Sequence, residues 1–257
     1  MSKSATLRVC LLLMLSLIHQ FTLAASSTPK EPTALRIAVS ANFKQTLASL
    51  LDQYPFPVQL IAGSTGQLYA QITQGAPFDV FLAADSHRPQ MLVQHQLADK
   101  HFIYANGKLV FWQPEAQQPP NAHQLITNQT MIAIANPKTA PYGLAAQQTI
   151  QHFNIQPKKL IRTGNVSQAY QHVLTGNVEG AFIAASLLPD NVNSAVLWHV
   201  PTDIYSAIIQ EGVILNRTSN KQQAEHFVRF LLSEKTQQLI QAAGYLAIKQ
   251  PVNITHD

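Results

Sequence analysis

Four short loops carry the residues whose types and spacing suit chemistry: Ala41-Asn42, Ser64-Thr65, Tyr142-Gly143 and Val166-Ser167. Each follows an apolar run of strand length and opens a stretch with apolar residues at helical spacing, the edge at which open α/β sheets bind ligands. A helix start leaves backbone N–H groups unpaired and carries a partial positive charge. Several starts aimed at one cleft form an anion site that requires no lysine or arginine. Asn42 and Ser64 add side-chain donors, Tyr142 adds a hydroxyl, and Val166 can offer only its main-chain N–H. For Asn42 or Ser64 taken alone, capping its own helix is the commoner role, so the chemical argument rests on the four loops together.

The elements that hold these loops follow one pattern. Residues 35–40 (LRIAVS) read as a buried strand, followed by a helix in which Phe43, Leu47, Leu50 and Leu51 recur and for which Asn42 is the expected N-cap. Residues 58–62 form a second expected strand, turning through Gly63-Ser64-Thr65-Gly66 into a helix that carries Leu68 and Ile72 and ends at Gly75. Residues 79–84 are a third strand and 91–97 a third helix. After a further strand at 108–112 (KLVFW) and a proline-bearing loop at 114–120, the alternation resumes with strands at 131–135, 160–163 and 180–184 and helices at 144–153 and 167–174. A strand at 207–215 and helices at 224–232 and 235–242 complete the chain. Alternation with short connections predicts α/β architecture, with largely parallel sheets covered on both faces.

Lys3 and Arg8 precede an apolar run at 9–18, and the small residues Ala24, Ala25 and Ser26 follow it. This is the pattern of a secretory signal peptide, residues 1–24, cleaved after Ala24; the run is shorter than the ~20 residues that span a bilayer. The one cysteine, Cys10, lies inside it, so residues 25–257 contain none. Thiolate metal sites, disulfides and cysteine nucleophiles are excluded from that part. Removing Lys3 and Arg8 takes the formal charge from +4 to +2. The remaining lysines and arginines are scattered, and a nucleic-acid partner is not implied. No histidine sits in a catalytic motif or an HxxxH pair, so the residues give an enzyme no support.

The segments LRIAVSANFKQTL, AGSTGQLYAQITQGAPFDVFLAADS, IANPKTAPYGLAAQQTI and GNVSQAYQHVLTGNVEGAFI resemble the periplasmic molybdate-binding proteins of ABC importers. The likeness covers nearly all of the chain after the leader, in the expected order, and is strongest over residues 63–86. It implies a type II periplasmic-binding-protein fold: two lobes, each a mostly parallel sheet flanked by helices, with the ligand cleft between them. Residues 34–110 plus 212–257 would form lobe 1 and 111–211 lobe 2, joined by two crossovers. The resemblance places oxyanion contacts on Asn42 and Ser64 from lobe 1 and on Tyr142 and Val166 from lobe 2, with Ala41 and Thr65 as secondary contacts.

Many members of that family have serine where Asn42 stands and tyrosine at the position aligned with Ile183, so one customary hydroxyl is missing here. The implied ligand is molybdate or tungstate, with no cofactor and no metal coordinated directly by side chains. The implied partner is a membrane permease, and the implied setting is a periplasmic monomer. Other cargoes remain open on the same fold. A ferric site is expected to use tyrosine with carboxylate or histidine, and a phosphate site an acceptor or an arginine clamp. Sulfate, a small organic anion and a non-transport sensory module are further alternatives.

Overall fold

The computed structural model describes residues 34–127, 130–189 and 191–248. The expected signal peptide and its cleavage point lie outside the described residues. From the N-terminal side the elements are β1 (Leu35–Ser40), α1 (Lys44–Leu51), β2 (Val58–Gly63), α2 (Thr65–Thr73), β3 (Val80–Leu82), α3 (His87–Gln94), β4 (Ala98–Gly107) and β5 (Leu109–Trp112). They continue with α4 (Ala122–Thr127), β6 (Met131–Ala135), α5 (Pro141–His152), β7 (Lys159–Thr163), α6 (Val166–Leu174), β8 (Gly180–Ala184), β9 (Leu197–His199), β10 (Ile208–Leu215), α7 (Lys221–Leu232) and α8 (Glu234–Ala242).

These strands make two sheets built to one plan. The first has the order β2-β1-β3-β10-β4 and the second β7-β6-β8-β5-β9. In each, three neighbouring strands are parallel, as the alternation of strand and helix requires, and two more are added by antiparallel pairing. The antiparallel strands stand next to the two passages of the chain between sheets. β4 gives way to β5 at Lys108, and the return falls between His199 and Ile208. The sequence put these boundaries after residues 110 and 211. Strand pairing sets Leu109 and Val110 against β8, and Ile208 against Gly107 of the first sheet.

Apolar side chains cover both faces of the first sheet. Phe43, Leu47, Phe227 and Leu231 pack on one side, and Leu68, Ile72 and Leu92 on the other. The second sheet is enclosed by one cluster that includes Phe111, Ile134, Ala146, Val173 and Phe182. Three helices, α3, α5 and α7, begin three or more residues earlier than their apolar spacing suggests. α5 starts at Pro141, where the fixed φ suits a first turn and the missing N–H has no intrahelical partner to lose. α3 starts at His87, in a polar turn that periodicity cannot see. β4 was not foreseen: it is an edge strand whose first half, Asp99 to His101, is exposed and polar.

Candidate functional site

Four of the parallel strands of the two sheets, β1, β2, β6 and β7, end at loops that open helices, and these converge on one cavity. Its walls are residues 40–42 after β1, 63–65 between β2 and α2, 140–142 at the start of α5 and 165–166 at the start of α6, with Ala84 beside them. All four sequence-selected loops therefore meet. The empty space is about 210 Å³, part of it continuous with solvent. Because that space includes open solvent, the enclosed room is smaller still and suits only a ligand of a few heavy atoms. None of the lining residues carries a charged side chain.

Ser64 occupies the N-cap position of α2, with extended backbone (φ −70°, ψ 145°), yet its hydroxyl makes no capping bond. That Oγ is buried and has no hydrogen-bond partner in the structure. A buried hydroxyl in this state costs about 1–3 kcal/mol, a penalty that a ligand acceptor would remove. Thr65 next to it has turned toward the sheet, where Oγ1 accepts from the Ala84 N–H at 3.0 Å.

Asn42 differs from its expected role. The N-cap of α1 is Phe43, and Asn42 is buried in the turn before it. Its Nδ2 donates to Gln210 Oε1 at 3.0 Å and to the Tyr245 hydroxyl at 3.1 Å, which accounts for both amide protons. Its carbonyl accepts from Tyr245 at 3.0 Å and from Ser186 Oγ at 3.2 Å. What Asn42 has left to donate is its main-chain N–H. Ala41 has given its own N–H to the Gly63 carbonyl at 2.9 Å, and its carbonyl accepts from Ser167 Oγ at 3.1 Å.

In the second half, Val166 is the first residue of α6, and the Asn165 side chain caps that helix by accepting from the Gln168 N–H at 3.0 Å. The cap satisfies the third turn position and leaves the Val166 N–H at the cavity. Tyr142 lies in the first turn of α5 and is buried. Burial, reinforced by the neighbouring hydroxyls of Tyr245, Tyr104 and Tyr205, pushes its phenol well above the ordinary value. It is therefore a neutral O–H at any physiological pH. Gly143 lets this turn press onto β6, since a Cβ there would meet the Ala135 carbonyl oxygen at 2.3 Å.

Ile183 is fully buried on β8, paired with Val110, and does not line the cavity. Among the described residues no group of three or more His, Cys, Asp or Glu side chains is placed to hold a metal ion. Gln210, which bonds to Asn42 and to Tyr142, was not singled out in the sequence. It is a polar residue inside a strand, and its partners are 168 and 68 positions away.

An uncharged cleft between two α/β lobes is the architecture of solute capture, and the comparisons agree. Residues 35–246 match the family described as bacterial extracellular solute-binding protein. The chain belongs to that family. Among its relatives in this solute-binding family, the molybdate-binding protein ModA of Azotobacter vinelandii is 35% identical over 224 residues, covering 82% of this chain and 89% of the relative. ModA of Rhodobacter capsulatus is 36% identical over 219 residues, covering 81% of this chain and 86% of the relative. The solved periplasmic molybdate-binding protein of Azotobacter vinelandii superposes with a TM-score of 0.78 at 31% identity, covering 84% of this chain and 100% of that one. The two-lobed fold expected from the resemblance is the fold of this solute-binding protein.

Proposed function

We propose that this protein captures molybdate or tungstate in the interlobe cavity as the periplasmic, monomeric binding component of an ABC importer and delivers it to the membrane permease. The observation that carries the reading is the buried, unpartnered Ser64 hydroxyl at a helix start, in a small cavity without charged walls. Ser64 contributes this hydroxyl and its main-chain N–H. Asn42, Tyr142 and Val166 contribute main-chain N–H groups, and Tyr142 adds its phenolic O–H. Ala41 and Thr65 are secondary contacts: the Ala41 N–H is given to Gly63, while Thr65, whose Oγ1 accepts from the Ala84 N–H, can still donate its hydroxyl proton. The names of the Azotobacter and Rhodobacter relatives support the choice of cargo.

Each hydrogen bond from a neutral donor to a charged oxygen contributes roughly 1.5–3 kcal/mol. Fixed donors recognise size and geometry, so a smaller tetrahedral ion such as sulfate leaves some of them stretched. Molybdate and tungstate should bind alike. Isothermal titration calorimetry of the dialysed protein against molybdate, tungstate, sulfate, phosphate and ferric citrate tests this. Tight one-to-one binding of the first two with silence for sulfate is expected. Silence for all five would end the oxyanion reading, and heat from ferric citrate alone would replace the cargo.

A further inference from the structure

Gln210 is fully buried on β10, and its side-chain amide is engaged at both ends. Oε1 lies 3.0 Å from Asn42 Nδ2 and 3.0 Å from the Tyr104 hydroxyl, while Nε2 donates to the Tyr142 hydroxyl at 3.2 Å. Pairing between β10 and β4 is irregular at this point. Gln210 faces Ala105 and Glu211 faces Ile103, which leaves Tyr104 as an extra residue. A bulge of this kind re-aims the side chains beside it, and here both re-aimed residues join the network behind the cavity. The amide thus ties Asn42, in a cavity loop of the first sheet, to Tyr142, in a cavity loop of the second.

Tyr142 accepts from Gln210 and still has its own proton to give. Among the described residues no acceptor for that proton is present, and Tyr142 lines the cavity. Gly107 packs against both the hydroxyl and the amide that donates to it. A Cβ there would lie 2.2 Å from the Tyr142 oxygen and 2.9 Å from Gln210 Nε2, so this close approach requires glycine.

We infer that Gln210 is a positioning residue for anion capture: by donating to the Tyr142 hydroxyl it leaves that hydroxyl a single role, donor into the cavity. The inference rests on the oxyanion-binding function proposed above. An acceptor at the same place would draw the proton away from the cavity and present the ligand with oxygen lone pairs. The groups around Gln210 are Tyr104 of β4, Tyr142 of α5 and, through Asn42, Tyr245 beyond α8. Burial raises all three phenols, so they stay neutral around pH 7. Asp85, which acts on Tyr104 from the end of β3, is ion-paired with Arg88. Glu211 turns instead to His101 Nδ1 at 2.7 Å and to Gln90.

The test is molybdate titration of Gln210→Glu, Gln210→Met, Tyr142→Phe and the Gln210→Met/Tyr142→Phe double variant, each first shown to unfold cooperatively. At about pH 8 the carboxylate of Gln210→Glu accepts the Tyr142 proton, and affinity should fall by roughly a hundredfold. At about pH 5.5 a buried carboxyl regains its proton and can donate to Tyr142 as the amide did, so affinity relative to the native protein should recover by about tenfold. Gln210→Met and Tyr142→Phe should each lose about tenfold, and the double variant no more than either alone. Additive losses, or a Gln210→Glu ratio that does not change with pH, overturn the positioning role. Native protein that binds no oxyanion fails at the proposed function itself and takes this inference with it. Native binding with Tyr142→Phe unaffected refutes the inference alone.

Discussion

The Gly66 N–H donates to the Thr139 carbonyl at 2.9 Å, so the first turn of α2 is bonded to the loop that leads into α5. This contact joins the two walls of the cavity and has no room for a side chain. A Cβ on Gly66 would come 3.0 Å from the Thr139 oxygen and 3.1 Å from both its Cα and the Arg88 guanidinium. Gly66→Ala should therefore wedge the walls while leaving each half intact. Molybdate affinity is expected to fall by about tenfold, while in the ligand-free protein the tight contact offsets the ~0.5–1 kcal/mol otherwise gained on replacing a helical glycine, so that its melting temperature does not rise. Calorimetry and a thermal melt read the two effects separately. Unchanged affinity would show that the bound form does not use this contact.

Ser64→Ala removes a hydroxyl that has no partner in the protein. Its loss should cost the fold nothing and raise the melting temperature of the ligand-free protein slightly, because a buried polar group without a bond is removed. Molybdate affinity should drop roughly ten- to a hundredfold, the worth of one bond to a charged oxygen. Native affinity in a folded Ser64→Ala protein would take the hydroxyl out of the site.

Val166→Pro deletes a main-chain donor, which side-chain truncation cannot do. Proline is tolerated at the first position of a helix, and Asn165 before it already has the extended backbone that proline demands (φ −157°, ψ 172°). The variant should fold, with about 1 kcal/mol lost from the buried valine methyls. It should bind molybdate at least about tenfold more weakly. Circular dichroism and calorimetry together decide it, and a folded variant with full affinity would refute the Val166 contact.

The buried phenols set an alkaline limit. Burial pushes Tyr245 up to about 12, and Tyr104 and Tyr142 well above the ordinary value. An unfolded tyrosine loses its proton near pH ~10. Between about pH 10 and 12 the unfolded chain sheds protons that the folded chain keeps, so stability falls as pH rises. The stabilisation is complete below about pH 10 and disappears as pH passes through 12. Tyrosinate absorbance should therefore appear together with loss of helix signal. Ionisation of these residues in a still-folded protein would contradict their burial.

Much of this arrangement was legible in the sequence. The strand end before Asn42 follows from an apolar run, because a parallel strand buried on both faces must be apolar throughout; β2 and β7, before Ser64 and Val166, are half-exposed edge strands, legible from shorter apolar stretches that stop at glycine and polar residues. The side-chain roles were less legible. Asn42 and Ser64 have the residue types of caps, yet one spends its amide on Gln210 and Tyr245 and the other bonds to nothing. β4 escaped because an edge strand need not be apolar on its outer half. Gln210 escaped because its environment is assembled from residues 42, 104 and 142, and no local pattern records contacts made across the whole chain.

The place of β10 has a consequence for how the molecule comes into being. It lies between β3 and β4, so β4 has no neighbour in its sheet until residues 208–215 have been made. The first sheet is therefore begun at the start of synthesis and closed only near its end, while the second can assemble in between from one continuous stretch. Long-range closure of this kind is slow, and the sheet that the chain begins first is the one that needs its later residues to be completed. Its cavity walls, including the Gln210 contact with Asn42, exist only once nearly the entire polypeptide is available.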